Sequence, residues 1–219
     1  MPKWEQPHYL PSFSAWGEDR IIKSWLDIKG IPPHEVRYLD IGAAYPVFLS
    51  NTYLLYKNGG RGVLVEPDPK QVKLLREVRT EDLVLEVGVA VEKGRGKLLQ
   101  LTSPVFNTFS VAAAEKAVEQ SKGWKECQRQ DVVGAVDVEL VTLNEILEVH
   151  FSKSPMHVLS IDVEGMDFSV IQSLDFDRFK PLVICTEIGS EQAVYEKMLS
   201  KHGYQFVCWT PDNFIFVQM

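Results

Sequence analysis

Two acidic residues that follow short apolar runs have the chemistry to bind a nucleotide. Asp40 stands near the end of the run 36–41, with Gly42 directly after it, and Glu66 follows the run 62–65. Glu66 comes after Asp40 at close to the ~20-residue separation expected of a ribose-binding acid. A carboxylate there can accept hydrogen bonds from both ribose hydroxyls. The pattern predicts strand, tight turn, helix and strand around a nucleotide-containing cofactor.

The glycine content of the turn indicates which cofactor. A dinucleotide pyrophosphate requires the three glycines of G-x-G-x-x-G, whereas the turn 42–46 contains only Gly42. A cofactor with an amino acid in place of the pyrophosphate carries an ammonium group, which Asp40 could bind. S-adenosylmethionine is a cofactor of this kind, so the sequence favours it over NAD.

Three further acids, Asp162, Glu164 and Glu187, could act on an acceptor. Each lies at the predicted end of an apolar strand, and residues i and i+2 of a strand point to the same side. One carboxylate could remove the proton of an acceptor hydroxyl as a general base. Alternatively, the three could bind a divalent metal such as Mg that acidifies the hydroxyl. The sequence leaves both schemes open, together with a structural role in which Asp162 caps the next helix.

Alternating strand and helix patterns bring these acids to one edge of a sheet. An amphipathic helix over 14–28 precedes the first strand. The other strands are predicted at 62–66, 83–90, from 136 (an edge or half-exposed strand), 157–161, 182–187, 204–209 and 213–217. The other helices are predicted at 51–57 with Ser50 as N-cap, and at 70–76, 111–120, 143–149, 168–174 and 191–201. A turn is expected at 93–97.

This order of elements predicts an α/β fold. The expected architecture is a mostly parallel seven-stranded sheet with a C-terminal antiparallel hairpin and helices on both faces, which is the Rossmann-like fold of class I methyltransferases. The 219 residues suffice for one such domain over 1–219. Within it we expect an N-terminal arm and helix over 1–30 and a Rossmann-like core over 36–219.

The composition restricts the partners. A formal net charge of −7 argues against nucleic acid, because phosphate backbones are bound by basic surfaces. No run approaches the ~20 apolar residues of a membrane-spanning helix, and the N-terminus lacks a signal-peptide pattern. The three cysteines show no C-x-x-C spacing and are expected to be reduced. We therefore expect a cytoplasmic protein that acts on a small molecule or glycan.

Six short motifs follow one another between residues 13 and 190. They are Gly17-Glu18-Asp19, Asp40-Ile41-Gly42-Ala43, Pro46 with Ser50-Asn51-Thr52, Glu66-Pro67-Asp68, Asn107-Thr108-Phe109-Ser110 and Ile161-Asp162-Val163-Glu164-Gly165. Together they resemble the FkbM-type methyltransferases. The resemblance implies S-adenosylmethionine-dependent O-methylation, often of a sugar hydroxyl in a polysaccharide, glycolipid or natural product. The family's N-terminal motif usually reads Ser-Gln-x-Gly-Glu-Asp, and here Ala15 replaces the glutamine.

The motifs and strand ends together give an expected set of site residues. Those expected to bind the cofactor are Glu18, Asp40, Gly42, Ala43, Ser50, Asn51, Glu66, Pro67, Asp68, Val89, Ala90 and Asp162. Within this set, Val89 and Ala90 are expected in the adenine pocket. Those expected to act in catalysis are Asp162, Glu164 and Glu187. His8 on the arm is a further candidate base, and Tyr45, Trp16 and Trp124 are candidates for stacking on a sugar ring.

Other functions remain open at this point. One is a domain that binds S-adenosylmethionine without catalysing transfer, which the Ala15 departure would fit. Another is an NAD-dependent oxidoreductase, which uses the same strand, turn and acid. A nucleic-acid methyltransferase is disfavoured, because no Asn-Pro-Pro-Tyr-like tetrad follows the strand 157–161.

Overall fold

The chain folds into a central sheet flanked by helices, and the computed structural model describes residues 11–189 and 191–219. The strands in these residues are β1 (Arg37–Ile41), β2 (Arg61–Val65), β3 (Leu83–Leu85), β4 (Gly88–Ala90), β5 (Gly94–Leu101), β6 (Val132–Thr142), β7 (Val158–Ile161), β8 (Val183–Glu187), β9 (Tyr204–Trp209) and β10 (Asn213–Gln218). The α-helices there are α1 (Glu18–Ile28), α2 (Tyr53–Lys57), α3 (Pro69–Val78), α4 (Val111–Ser121), α5 (Leu143–Phe151), α6 (Asp167–Gln172) and α7 (Gln192–Leu199). His8 and most of the predicted arm lie outside the described residues.

Seven strands form the main sheet, in the order β3-β2-β1-β7-β8-β10-β9. The first five pair in parallel, and β10 runs antiparallel to both of its neighbours. This arrangement confirms the predicted α/β, Rossmann-like fold class with its C-terminal hairpin. The chain leaves β1 towards β2 on one side, whereas β7 lies on the other side. A crevice forms at the carboxyl ends of strands where the order reverses in this way.

Two hydrophobic clusters hold the helices against the faces of the main sheet. Leu39 and Ile41 of β1 pack on one face with α5, α6 and α7. Tyr38 points to the opposite face, where it packs with α1, α2 and α3. Full burial of each large aliphatic side chain contributes about 1.5–3 kcal/mol. Burial on both faces explains why these strands read as continuous apolar runs.

A second, three-stranded sheet in the order β4-β6-β5 was not predicted. The single strand expected over 83–90 is wrong, because β3 joins the main sheet whereas β4 pairs with β6. Gly88 permits this crossing, since a Cβ there would lie 2.6 Å from the Leu140 side chain and 2.7 Å from that of Phe109. The strand from 136 was predicted as an edge or half-exposed strand, and β6 is half-exposed but central in this sheet.

The segment between the sheets differs from its prediction in one more place. The turn expected at 93–97 is wrong, since β5 already begins at Gly94 and pairs with β6 in antiparallel register. The two glycines in this segment carry no side chain whose polarity could reveal the alternation of a strand. The predicted capping box is present: Thr142 accepts a hydrogen bond from the Glu145 backbone, and the Glu145 carboxylate accepts one from the Thr142 backbone.

Candidate active site

A cavity of about 440 Å³ opens at the carboxyl ends of the parallel strands. Its floor includes Gly42 after β1, Glu66 after β2, Asp162 after β7 and Glu187 at the end of β8. The part around Glu66 is called the β1–β2 end below, and the part around Asp162 and Glu187 is called the β7–β8 end. The segment 104–109 and α4 supply the opposite wall. The strand ends therefore bring acids that are far apart in sequence into one cavity.

Gly42 allows the ends of β1 and β7 to meet. Its φ of +80° is one that side-chain-bearing residues rarely adopt, and a Cβ there would lie 1.7 Å from the carbonyl oxygen of Asp162. The Gly42 N–H donates to the carbonyl of Val65 at 2.9 Å. The glycine is thus required by the approach of two backbones at the cavity floor.

Glu66 is nearly fully buried and lines the β1–β2 end. Its Oε2 accepts a hydrogen bond from the Ala44 N–H at 2.9 Å, and its Oε1 accepts one from the Asp68 N–H at 2.8 Å. Burial raises the pKa of Glu66 to about 7, although both hydrogen bonds act in the opposite direction. Each oxygen keeps a free lone pair, so the carboxylate can still accept from a ligand hydroxyl.

Asp68 connects this end of the cavity to its wall. Its Oδ1 caps α3 by accepting from the Lys70 N–H at 2.9 Å, and its Oδ2 accepts from Asn107 Nδ2 at 3.0 Å. Asn107 Oδ1 in turn accepts from the Leu101 N–H at 2.8 Å. Asp68 itself is not part of the cavity lining. Two of the sequence motifs therefore join the main sheet to the segment 104–109.

Asp40 lies beneath the cavity floor and is not brought into its lining. Its Oδ2 accepts a hydrogen bond from Thr52 Oγ1 at 2.6 Å. Thr52 Oγ1 also accepts from the buried Arg79, at 3.2 Å from Nη2, and Arg79 Nη1 donates to the carbonyl of Pro46 at 3.2 Å. Burial raises the pKa of Asp40, while Thr52 and Arg79 oppose that rise. The geometry gives Asp40 a part in holding the loop 43–52 from below.

The twelve residues that were expected to bind the cofactor divide into two groups. Those that line the cavity are Gly42, Ala43, Asn51, Glu66, Pro67, Val89 and Asp162. Those outside the lining are Glu18, Asp40, Ser50, Asp68 and Ala90. Ser50 Oγ accepts from the Tyr53 N–H at 3.1 Å, so it supports the start of α2, which begins later than predicted. Asn51 Nδ2 lies 3.3 Å from Ser160 Oγ on β7.

Glu18 joins α1 to the C-terminal hairpin instead of lining the cavity. Its Oε1 accepts from Thr210 Oγ1 at 2.6 Å and from Asn213 Nδ2 at 3.2 Å, and its Oε2 accepts from the Trp16 N–H at 2.9 Å. Burial alone would raise the pKa of Glu18, but these hydrogen bonds outweigh it and lower the pKa. Trp16 Nε1 donates to Asp212 Oδ2 at 2.6 Å. Ala15, which replaces the expected glutamine, lines the cavity.

Four carboxyl groups crowd the β7–β8 end. Asp162, Glu164 and Glu187 line the cavity, and the carboxyl oxygens of Asp162, Asp167 and Glu187 include a set within 4.8 Å of one another. β7 ends at Ile161, so the predicted i, i+2 alternation does not place Asp162 and Glu164. A turn places the two side chains instead. Glu164 in this turn has a φ of +51°, and its carbonyl accepts a hydrogen bond from Thr108 Oγ1 at 2.9 Å. Asp162 does not cap the next helix, which has Met166 at its N-cap.

The crowding disfavours ionisation of these groups. Burial is the largest cause and raises the pKa of Glu164 to about 8 and that of Glu187 to about 9. The pKa of Asp162 rises well above its usual range because of burial and then because of Glu187 and Glu164. Of the residues that the structure describes, the charged ones that line the cavity are all acidic: Glu66, Asp162, Glu164, Glu187 and Asp212.

Asp167 was not predicted from the sequence as a site residue. Its Oδ1 accepts from the Val163 N–H at 2.9 Å and its Oδ2 from the Gly165 N–H at 3.2 Å, which closes the turn 162–167. Burial raises the pKa of its carboxyl, while these bonds lower it. Its position in the first turn of α6 is visible in the sequence, but an acid at such a position is usually interpreted as a residue that stabilises the helix dipole.

The family model described as Methyltransferase FkbM domain matches residues 40–206. No curated protein matches the chain. Among solved structures, an O-methyltransferase from Bacillus cereus in complex with SAH is similar, with 13% identity and a TM-score of 0.46 over 96% of this chain and 84% of that chain.

Two further solved structures are similar at the same level. One is a TehB-like SAM-dependent methyltransferase from Corynebacterium glutamicum, with 11% identity and a TM-score of 0.42 over 94% of this chain and 89% of that chain. The other is a precorrin-6y C5,15-methyltransferase from Geobacter metallireducens, with 12% identity and a TM-score of 0.45 over 90% of this chain and 85% of that chain. Within the described residues, no helix has the length and apolar character needed to span a membrane.

Proposed function

The chain belongs to the FkbM methyltransferase family, and from that premise we propose that it is an O-methyltransferase. It transfers the methyl group of S-adenosylmethionine to a hydroxyl of a sugar or a similar small molecule. The observation that carries this proposal is the single cavity that joins Glu66 at the β1–β2 end to the carboxyl groups at the β7–β8 end. A cofactor anchored at one end can thus present its methyl group at the other.

The cofactor is proposed to lie along the carboxyl ends of the strands. Glu66 accepts from the ribose hydroxyls, while Val89 and Pro67 contact the adenosine. The amino acid part lies over Gly42, Ala43 and Asn51, which line this part of the cavity. Asp40 acts through Thr52 and the loop above it rather than through direct contact.

Methyl transfer is an in-line displacement. The acceptor oxygen attacks the methyl carbon, the carbon–sulfur bond breaks, and S-adenosylhomocysteine leaves with the bonding electrons. The reacting atoms must be held about 3–3.5 Å apart and collinear. The hydroxyl proton passes to a carboxylate at the β7–β8 end, for which Glu164 is the proposed base because it lines the cavity outside the three-carboxyl set. Asp162 and Glu187 orient the acceptor or, alternatively, hold a divalent metal.

The acceptor is proposed to be uncharged or cationic. The lining contributed by residues 11–189 and 191–219 is acidic and includes no basic residue, so it repels phosphate and carboxylate groups, which supports a neutral glycan or small molecule over a nucleic acid. Sugar hydroxyls can donate to carboxylates, and Trp124 offers an aromatic face in the same cavity. A cytoplasmic location remains a prediction from the sequence.

Thermal unfolding with S-adenosylhomocysteine and, separately, with NAD tests the cofactor. At about 100 times its dissociation constant a ligand adds ~2.7 kcal/mol, which raises the midpoint by roughly 5–11 °C for a chain of this length. We expect this shift with S-adenosylhomocysteine and none with NAD. A shift with NAD alone would replace the methyltransferase proposal with the oxidoreductase alternative.

Transfer of labelled methyl from S-adenosylmethionine to a panel of neutral glycosides tests catalysis. We expect Glu164→Gln to lower the rate at least 100-fold, the lower range for loss of a general base, with S-adenosylhomocysteine binding retained. Glu139→Gln, on the exposed side of β6, is the matched control and should keep full activity. Cofactor binding without transfer to any acceptor would favour the alternative of a binding domain without catalysis.

A further inference from the structure

We propose that Asp162, Asp167, Glu187 and Asn213 form a binding site for one divalent cation, Mg²⁺ or Mn²⁺, at the β7–β8 end. The inference rests on the proposed function, because the ion would act on the acceptor hydroxyl in the same cavity. Two of the four residues, Asp167 and Asn213, have no role in the transfer scheme given above. Two features support the site: the spacing of the carboxyl oxygens, and two buried oxygens that lack a hydrogen-bond partner among the described residues.

The spacing of the carboxyl oxygens fits one ion. One oxygen from each of Asp162, Asp167 and Glu187 lies within 4.8 Å of the other two. Oxygen ligands bind Mg²⁺ at about 2.1 Å, so two ligands on opposite sides of the ion are roughly 4.2 Å apart. Small side-chain rotations therefore bring all three oxygens into contact with a single ion.

Asn213 supplies a second, independent observation. It is only 6% exposed and lines the same cavity, and it is the register partner of Glu187 across β8 and β10. Its Nδ2 donates to Glu18 Oε1 at 3.2 Å, which fixes the amide so that Oδ1 points away from Glu18. Among the described residues this buried Oδ1 has no hydrogen-bond partner. A buried carbonyl oxygen without a partner destabilises the folded chain, and a bound cation would remove that destabilisation.

Asp162 shows the same deficiency within the carboxyl set. Its Oδ1 is buried and has no hydrogen-bond donor among the residues that the structure describes. Asp167, in contrast, is held rigidly by the N–H groups of Val163 and Gly165. Such outer contacts orient a ligand before the ion binds. The site thus combines one oriented carboxylate, that of Asp167, with two oxygens that lack a hydrogen-bond partner among the described residues.

The ligand chemistry selects the kind of ion. All four residues offer oxygen, which suits Mg²⁺ and Mn²⁺, whereas Zn²⁺ sites mostly use nitrogen and sulfur. Among the described residues, no Lys or Arg lines the cavity, so a bound cation is the direct way to balance the buried carboxylates. When bound, a divalent cation would attract the acceptor hydroxyl and lower its pKa. Glu164 then remains free to take the proton.

Titration of the purified chain with Mn²⁺, followed by the electron paramagnetic resonance signal of the free ion, tests the site. The titration is made at pH 8 with and without saturating S-adenosylhomocysteine. We expect one Mn²⁺ to bind per chain and excess Mg²⁺ to displace it. Asp167→Asn and Asn213→Ala should each weaken binding at least tenfold. Asp137→Asn, which removes an exposed acid from β6, should leave binding unchanged.

The outcomes separate this inference from the proposed function. Absence of saturable Mn²⁺ binding overturns the cation site, and so does equal binding in Asp167→Asn, Asn213→Ala and Asp137→Asn. In that case the crowded carboxyls are balanced by protons. The S-adenosylhomocysteine thermal shift on the same samples reports on the proposed function alone, because it is expected whether or not the ion binds. Far-UV circular dichroism of each variant verifies that a weaker affinity does not reflect unfolding.

Discussion

The two ends of the cavity differ in the hydrogen-bond partners of their buried carboxylates. At the β1–β2 end, each oxygen of Glu66 and of Asp68 accepts a hydrogen bond from the protein. At the β7–β8 end, Asp162 Oδ1 has no partner among the described residues, and Asp167 and Glu187 face each other. Acids with partners fix the shape of a site, whereas acids without partners are the ones a ligand must complete. The first end is therefore preformed, whereas at the second end Asp167 is held by backbone N–H groups and Asp162 keeps one oxygen without a partner among the described residues.

Gly42→Ala should have the largest effect, because Gly42 is the point where the two ends meet. Its methyl group would overlap the Asp162 carbonyl, and the φ of +80° would be strained as well. We expect a loss of unfolding free energy of about 5 kcal/mol or an insoluble protein, measured by urea unfolding. Gly94→Ala is the control, since no atom lies within 4 Å of a Cβ placed there. Equal stabilities of the two variants would show that the ends do not depend on this close approach.

Arg79→Met tests what makes the β1–β2 end preformed. Arg79 and Asp82 form an ion pair with side chains that are 1% and 0% exposed, and Arg79 also holds Pro46 and Thr52 beneath the loop. Removal of one partner of a buried pair costs about 3–5 kcal/mol. We expect a loss near the lower value, because Tyr38 and Gly62 still donate to Asp82.

Arg76→Met provides the comparison for Arg79, since its half-exposed side chain pairs with Glu86 at the surface. Exposed ion pairs contribute about 0–1 kcal/mol. Urea unfolding should therefore separate the two variants by at least 2 kcal/mol. If both variants lost the same amount, the network below the loop would not be what holds the β1–β2 end in place.

Much of the fold could be predicted because its signals are local. The strand β1 and four others of the main sheet, β2, β7, β8 and β10, are mostly buried on both faces, and this burial produces the apolar runs that predicted them. The second sheet gave no such signal, since β6 is largely exposed and β5 starts with two glycines separated by one residue. The split between β3 and β4 depends on the contacts of Gly88 with distant residues, which no local pattern contains.

The site was predictable to the level of strand ends but not of side-chain direction. The sequence brought Glu66, Asp162, Glu164 and Glu187 to one edge, and all four line the cavity. It also expected Asp40 and Glu18 there, although their carboxylates are engaged by Thr52 and by Thr210. Strand alternation decides the direction of Asp40, and a residue 192 positions away decides that of Glu18. Asp167 and Asn213 become candidate ligands only because the fold brings them close to Asp162 and Glu187.

Glu66→Gln should remove a pH dependence that belongs to the β1–β2 end. Because the pKa of Glu66 in the folded protein is about 7, above its usual 4.5, its carboxyl favours folding when protonated. This stability is fully present below about pH 4.5 and is lost as the pH rises through 7, by on the order of 3 kcal/mol.

Urea unfolding of both proteins at pH 5, 6, 7 and 8 isolates Glu66, since the carboxyls of the β7–β8 end are the same in each. The stability of Glu66→Gln relative to the wild type should rise across this range. The amide also presents a donor to one of the two backbone N–H groups, which costs about 1 kcal/mol at every pH. A difference that stays constant with pH would mean that Glu66 is ionised throughout and that the β1–β2 end is more polar than its burial indicates.

Asp68→Ala should have the smallest effect and separates the positioning of the cavity wall from general stability. The substitution removes the N-cap of α3, worth about 1 kcal/mol, and the hydrogen bond from Asn107. Thr142→Ala removes a comparable N-cap from α5, and Thr142 does not line the cavity. Both variants should lose about 1 kcal/mol in urea unfolding, but only Asp68→Ala should weaken S-adenosylhomocysteine binding, by about threefold to tenfold, because Asn107 lines the cavity. Equal affinities in calorimetric titrations would mean that the wall needs no tether, and that hydrogen bonds within Glu66 and its loop suffice to preform the β1–β2 end.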